Sequence, residues 1–395
     1  MEFNTLLKES LRLKTEVIKI RRQIHSYPEL GFKETKTARL IADKLRKSGL
    51  KVKEKVAKTG IVGVLKGGKE GKTIAIRVDM DALPIQERTG KKYASKIPGV
   101  MHACGHDGKI AIVLGVVSLL SRIREQLRGQ VKFIFQPNEE GAGGAQAMIA
   151  AGVLKKPKVD AIFGFDLAPF LDAGKIGIRK GIVTANVEDF EISVIGKGGH
   201  AAQRWEAVDT VATTAKIIEA LQFVIPQKQH PCVPIVISIG KIHGGTATNV
   251  IPDRVTLSGT VRTFDTITHK NVISKIKKII TAICRAYGAQ LEIIFSPSYH
   301  SIQNDPQLNN IVTEVAARLL GRKSIYSFKY PFFEGEDIGC FFQKVPGVIF
   351  SIGIRNRKKG ITYPLHSSFF DLDEDALPLG VSVVAGCVLK YLNSE

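Results

Sequence analysis

The chain has 395 residues, enough for two domains, since single hydrophobic cores rarely grow past about 250–300 residues. Hydrophobic residues at 44% and charged residues at 24% are usual for a globular protein, and no run approaches the ~18–20 apolar residues of a membrane span. The net charge of +20 is dispersed, with only short clusters such as Arg355-Asn356-Arg357-Lys358-Lys359. No zinc-finger, helix-turn-helix or RNP-like pattern accompanies it, so a basic surface that attracts carboxylate substrates is expected rather than a nucleic-acid partner. The polar start Met1-Glu2-Phe3-Asn4 does not read as a signal peptide, and a cytoplasmic location is expected. Five scattered cysteines without CxxC spacing predict mostly buried thiols rather than disulfides, with Cys104 set apart below.

In chain order, apolar residues at helical spacing predict one helix over 5–25 and a second over 36–48. Short apolar runs at 60–66 and 72–78 predict strands, followed by a helix at 108–124, a strand at 130–135, a helix at 143–151 and a strand at 160–165. Such alternation implies an α/β domain around a buried sheet. From 187 the order becomes strand (189–195), helix (207–224), two strands (234–242 and 255–265), helix (268–287) and strand (290–295). That is the β-α-β-β-α-β order of a ferredoxin-like unit. A helix at 307–320, a strand at 348–354 and a helix at 375–393 then resume the first pattern. The expected organisation is a larger α/β domain with a central mixed sheet, residues 1–186 and 297–395, interrupted by a ferredoxin-like unit at 187–296.

Four segments carry chemistry. His102-Ala103-Cys104-Gly105-His106-Asp107 places two imidazoles, a thiol and a carboxylate before an apolar helix, which suits metal ligation; a polar turn is the alternative. Gln136-Pro137-Asn138-Glu139-Glu140-Gly141 puts adjacent acids at the end of an apolar strand, where α/β sheets build sites; an exposed acidic turn is the alternative. Neighbouring side chains diverge, so one acid can bind metal while the other faces water. Asp166 ends another buried strand, and His366 lies in a polar loop before the last helix. By themselves these two read more often as capping or solvated residues.

Taken together and in order, these segments resemble the M20 metallopeptidase family, specifically its aminoacylase-, hippurate-hydrolase- and auxin-conjugate-hydrolase-like branch. The same likeness runs through Arg21-Arg22-Gln23-Ile24-His25, Pro28-Glu29-Leu30, Arg77-Val78-Asp79-Met80-Asp81, Gly198-Gly199-His200, Asn249-Val250-Ile251-Pro252, Gly259-Thr260-Val261-Arg262 and Gly335-Glu336-Asp337. It implies metal-dependent hydrolysis of the amide bond of N-acyl amino acids or small peptides. It also implies two divalent ions (zinc, manganese, cobalt or nickel) on Cys104, His106, Glu140, Asp166 and His366, with Glu139 as general base. The inserted unit would be a lid and dimerisation domain. His200 would stabilise the oxyanion of a partner's site, while Asn249 and Arg262 would grip the substrate carboxylate. Asp79 and Asp81 would orient ligands rather than bind metal.

The chain departs from that branch at three places. Asp166 stands where a histidine is usual, and its charge would favour a harder ion. Lys109 also replaces a usual histidine, adding positive charge that would bind an anion or weaken metal affinity. Gln203-Arg204-Trp205 follows the Gly-Gly-His segment where a Met-Pro-His-like stretch is common. These departures support a second reading, a member with weakened catalysis that acts as a ligand-binding or regulatory protein.

Overall fold

The computed structural model describes residues 2–141, 143–224, 227, 230 and 232–394. The chain termini expected to bound the larger domain, 1 and 395, lie outside them. In chain order the elements are α1 (Phe3–Arg12), α2 (Lys14–His25), α3 (Thr35–Lys47), β1 (Lys51–Val56), β2 (Gly60–Lys66), β3 (Lys69–Asp79), α4 (His106–Ser121), β4 (Arg128–Gln136), α5 (Gly144–Ala150) and β5 (Ala161–Asp172). The short β6 (Ile176–Ile178) and β7 (Gly181–Ile182) lead to β8 (Asn186–Ile195), β9 (Gly199–His200), α6 (Thr210–Glu219), β10 (Ile235–Gly244), β11 (Val250–Ile251), β12 (Arg254–Thr263), α7 (Thr266–Ala286) and β13 (Gln290–Tyr299). The chain closes with β14 (Gln303–Asn304), α8 (Pro306–Leu320), β15 (Ile325–Ser327), α9 (Gly339–Phe342), β16 (Gly347–Arg355) and α10 (Ala376–Leu392).

Two compact units result, Met1–Val183 with Gln303–Tyr330 and Asp337–Glu395, and Thr184–Ile302 with Pro331–Glu336. The first is built on a mixed eight-stranded sheet in the order β1-β2-β4-β3-β5-β16-β6-β15. β4, β3, β5 and β16 run parallel, so their C-terminal ends share one edge. Both faces of these strands are covered: β3 is buried from Thr73 to Asp79, and β4 from Val131 to Gln136. That is why they read as apolar runs rather than alternating ones. α4 is buried on almost every side and packs against α10, which is equally apolar.

The single helix expected over 5–25 is two, broken at Leu13. Ser10 Oγ donates to Leu6 O at 2.9 Å, the kind of back-bonding that bends a helix, and Leu13 turns inward to the core. The expected helix over 207–224 is regular only in α6, where Asp209 accepts the Ala212 amide at 2.9 Å; it ends in a π turn over Ala220–Val224. The strands β1, β6 and β15 went unanticipated because they are short or, like β1, largely exposed.

The second unit has its own core under a four-stranded antiparallel sheet ordered β10-β12-β8-β13, with α6 and α7 contributing Ile217, Val272, Ile276 and Ile280. A two-stranded ladder of β9 and β11 stands apart from it. No described helix is long and apolar enough to cross a membrane. Of the cysteines, Cys284, Cys340 and Cys387 are buried, Cys104 is half-buried and Cys232 is exposed.

The approach of α4 to its neighbours depends on Gly115: a Cβ there would lie 2.6 Å from Val381 Cγ2 and 3.0 Å from Val17 Cγ2. Gly115→Val should therefore overpack three helices and cost about 1–3 kcal/mol, read as a lowered urea midpoint with an unchanged slope. An unchanged midpoint would show that the helices can part freely.

Candidate metal centre

The parallel strands deliver their loops to one edge, and Asp81, two residues beyond β3, organises what arrives there. Its carboxylate accepts the amides of Glu139 at 3.1 Å and Glu140 at 3.0 Å, so the adjacent acids are positioned by their backbone. Its carbonyl accepts from His106 Nδ1 at 2.8 Å, which directs Nε2 away from the backbone as a potential ligand atom. Asn138, with φ of 54°, makes the left-handed turn that carries β4 into Glu139.

Neighbouring contacts pin this turn in place. Ala82 N donates to Glu29 O at 2.8 Å, and Leu83 exchanges hydrogen bonds with Met101 at 2.9 and 3.0 Å. The Ala103 carbonyl in turn accepts His366 N at 2.9 Å, where His366 itself adopts φ of 63°. Gly105, at φ of 77°, turns the chain from Cys104 into α4, and a Cβ there would press on Leu167 at 3.2 Å.

Cys104 Sγ, one His106 ring nitrogen and a Glu140 oxygen lie within 4.8 Å of one another. His366 Nε2 is 3.4 Å from Glu140 Oε1, a buried oxygen with no closer hydrogen bond among the described residues. A sulfur, an imidazole and a carboxylate within mutual reach, with a second imidazole against the carboxylate, are a fitting donor set for a divalent ion. Glu139 is buried beside them. Asp166, by contrast, is taken up by Lys109, whose Nζ is 2.6 Å from its Oδ1. Asp79 receives Lys109, Arg77 at 2.6 Å and, at 3.7 Å, His106 Nε2. Arg77 also pairs with Asp337, which binds Gln136 and caps the Ala145 amide at 2.9 Å, so this arginine ties β3 and β4 to α5.

Charge in the centre is strongly perturbed. Burial pushes the Cys104 thiol well up, and the neighbouring Glu140 and Glu139 push it further. Burial opposes protonation of His106, but the Asp81 hydrogen bond and the Asp79 charge outweigh it and raise its pKa to about 9. Glu140 is held low despite burial by His366 and His106. In the absence of metal the centre therefore holds a thiol and an imidazolium.

Behind it lies a charge network whose role the sequence did not disclose. Arg21 is wholly buried and reaches Asp107 at 2.7 Å, Asp371 at 2.9 Å and Glu374 at 3.2 Å. His25 Nδ1 lies 2.8 Å from the same Asp107 oxygen. Burial alone would raise Asp107, but Arg21 and His25 overcome it and hold it far below the usual carboxylate range. The Arg-Arg-Gln-Ile-His segment thereby fixes the residue next to His106. His102 is buried with neither ring nitrogen hydrogen-bonded among the described residues, and burial lowers its pKa to about 4, so it is neutral.

His200, Asn249 and Arg262 belong to the second unit. β9 and β11 bring the first two together: His200 pairs with Val250, and Ala201 N donates to Asn249 O at 3.0 Å. His200 Nδ1 accepts the Ala202 amide at 3.1 Å, which places the proton of a neutral ring on an exposed Nε2. Arg262, on β12, donates from Nη1 to Phe333 O at 2.7 Å.

Residues 75–390 match the family model for peptidase family M20/M25/M40. The chain belongs to this family. It is 40% identical to thermostable carboxypeptidase 1 of Saccharolobus solfataricus over 398 residues, covering the whole of both chains. It is also 40% identical to N-acetylcysteine deacetylase of Bacillus subtilis over 381 residues, 96% of this chain and 98% of that protein. A solved dinuclear metal-binding M20 peptidase from Bacillus subtilis superposes with a TM-score of 0.85 at 36% identity, covering 97% of this chain and 99% of that one. These relatives place it in the amidohydrolase branch of the M20 family.

A metal ion that takes the Cys104 thiolate and neutral His106 must displace both protons. At pH 7.5, titration of the metal-free M20 protein with zinc should release about two protons for the first ion, measured calorimetrically in buffers of different ionisation enthalpy. Affinity should rise with pH, steeply up to about 9, where His106 loses its competing proton, and more gently above that while the Cys104 thiol still holds its own. Proton-neutral binding would mean that the thiol and imidazole are not ligands.

Proposed function

We infer that the protein is a metal-dependent hydrolase that cleaves the amide bond of N-acyl amino acids or small peptides. The observation that carries this reading is the convergence of Cys104, His106 and Glu140 within 4.8 Å, with Glu139 adjacent in sequence and held by the same aspartate. Membership of the M20 family, with relatives named for carboxypeptidase and deacetylase activities, supports it.

Cys104, His106, Glu140, Asp166 and His366 would hold two divalent ions. When bound, such ions polarise an amide carbonyl and acidify water. Zinc, manganese, cobalt or nickel suits a mixed thiolate, imidazole and carboxylate set. Glu139 takes a proton from the attacking water and passes it to the leaving nitrogen, for which a buried carboxylate free of metal is suited. The second unit serves as a ferredoxin-like lid and dimerisation domain. Its strand order is that of the ferredoxin-like sheet, and its edge strand β10 leaves Ile242 53% exposed. In the homodimer, His200 donates Nε2–H to the oxyanion of the partner's site. Asn249 and Arg262 hold the substrate carboxylate, towards which the dispersed basic surface draws anions. A cytoplasmic location completes the reading.

Glu139→Gln should fold, retain metal and lose about 100-fold or more in kcat on N-acetyl amino acids. Near-normal turnover would refute Glu139 as the base. Cys104→Ala should reduce metal content by elemental analysis; unaltered stoichiometry would leave Cys104 as a half-buried thiol outside the centre.

A further inference from the structure

Lys109 has no part in the proposed reaction, yet it sits among the groups that carry it. It stands in the first turn of α4, its side chain 2% exposed, and its ammonium contacts two carboxylates, Asp79 and Asp166. β3 and β5 are parallel neighbours with Ile76 opposite Phe163, so Asp79 and Asp166 stand level and the ammonium bridges their side chains. Asp79 also has Arg77 at 2.6 Å and so keeps a cationic partner without the lysine. The charge of Lys109 therefore bears chiefly on Asp166, 2.6 Å away. Burial dominates the Cys104 thiol, but Lys109 and Asp166 also act on it, which places both charges in the neighbourhood of the donor set.

An ion that coordinates Asp166 must either displace the ammonium from Oδ1 or bind the other oxygen with the ammonium still beside it. The first route breaks a charge-assisted hydrogen bond, and the second sets like charges side by side. Cys104, His106 and Glu140 offer ligand atoms within 4.8 Å of one another, with His366 Nε2 3.4 Å from Glu140 Oε1, and an ion arriving there displaces protons rather than a fixed ammonium.

We propose that Lys109 is a built-in cation that competes with the second divalent ion for Asp166, so that the two ions of this centre load unequally. This rests on the reading of Asp166 as a ligand. One ion draws its donors from Cys104, His106, Glu140 and His366; the other shares that donor set and needs Asp166 as well, so it enters only as Lys109 gives up Asp166. At limiting metal the second site therefore stays only partly filled.

The test is calorimetric titration of the chelator-stripped, full-length protein with Mn²⁺, paired with elemental analysis after dialysis against metal-free buffer. The wild-type protein should keep one ion per chain through dialysis and bind a second with an affinity weaker by roughly 30-fold or more. Lys109→Met removes the charge but keeps the length, and should strengthen the second event by a similar factor while leaving the first in place. Asp166→Asn should abolish the weak event and spare the tight one. Two wild-type sites of equal affinity would overturn the inference alone, whether or not Lys109→Met folds. So would a second site that is indifferent to Lys109→Met. A protein that takes up no ion would overturn both this inference and the hydrolase reading.

Discussion

The candidate centre depends on how completely Asp81 is used. One buried residue accepts the amides of both Glu139 and Glu140 through its carboxylate and the His106 ring through its carbonyl. The position of two acids and the tautomer of an imidazole therefore follow from one side chain and one peptide. Such bonds are strong where water is excluded, and each rigidifies the others. Glu29 and Met101 hold the same turn from either side through backbone bonds alone, so segments far apart in sequence converge on a single knot.

Two buried charge systems flank this knot and share a design. Arg21 answers Asp107, Asp371 and Glu374, while Arg77 and Lys109 answer Asp79, Asp337 and Asp166. Burying so many ions is tolerable only because nearly every one has an opposite charge in contact. The two systems differ in what borders them. Asp107 is sequestered with both of its partners, Arg21 and His25, buried, whereas the Asp166 side chain is 40% exposed beside its lysine.

Much of this was legible in the sequence, and the parts that were not have physical reasons. The strands that end at the centre are buried on both faces and announce themselves as apolar runs, and the clustering of Cys104 with His106 and of Glu139 with Glu140 is local. The work of Arg21 was invisible because its partner Asp107 lies 86 residues away and pairing at that range leaves no periodic trace. Asp81 was expected to orient ligands, but its carbonyl contact with His106 involves an atom that every residue possesses. The break at Leu13 was missed because apolar spacing continues smoothly through it, and the bend comes from the Ser10 hydroxyl instead. Lys109 and Asp166 were noticed separately as departures; only their 2.6 Å contact makes them one feature.

The residues gathered at the candidate centre are unequal in one further respect. His106 is sunk in the fold and Glu140 and Cys104 are partly covered, whereas the side chain of His366 is 53% exposed on a loop tethered to the Ala103 carbonyl. As a ligand, such a ring is the hinged side of a cage: an ion arriving from solvent meets it early, and a departing ion must first be released by it. Rates of metal exchange would then be governed by motion of one short loop, while the depth of the binding well is governed by the buried wall opposite.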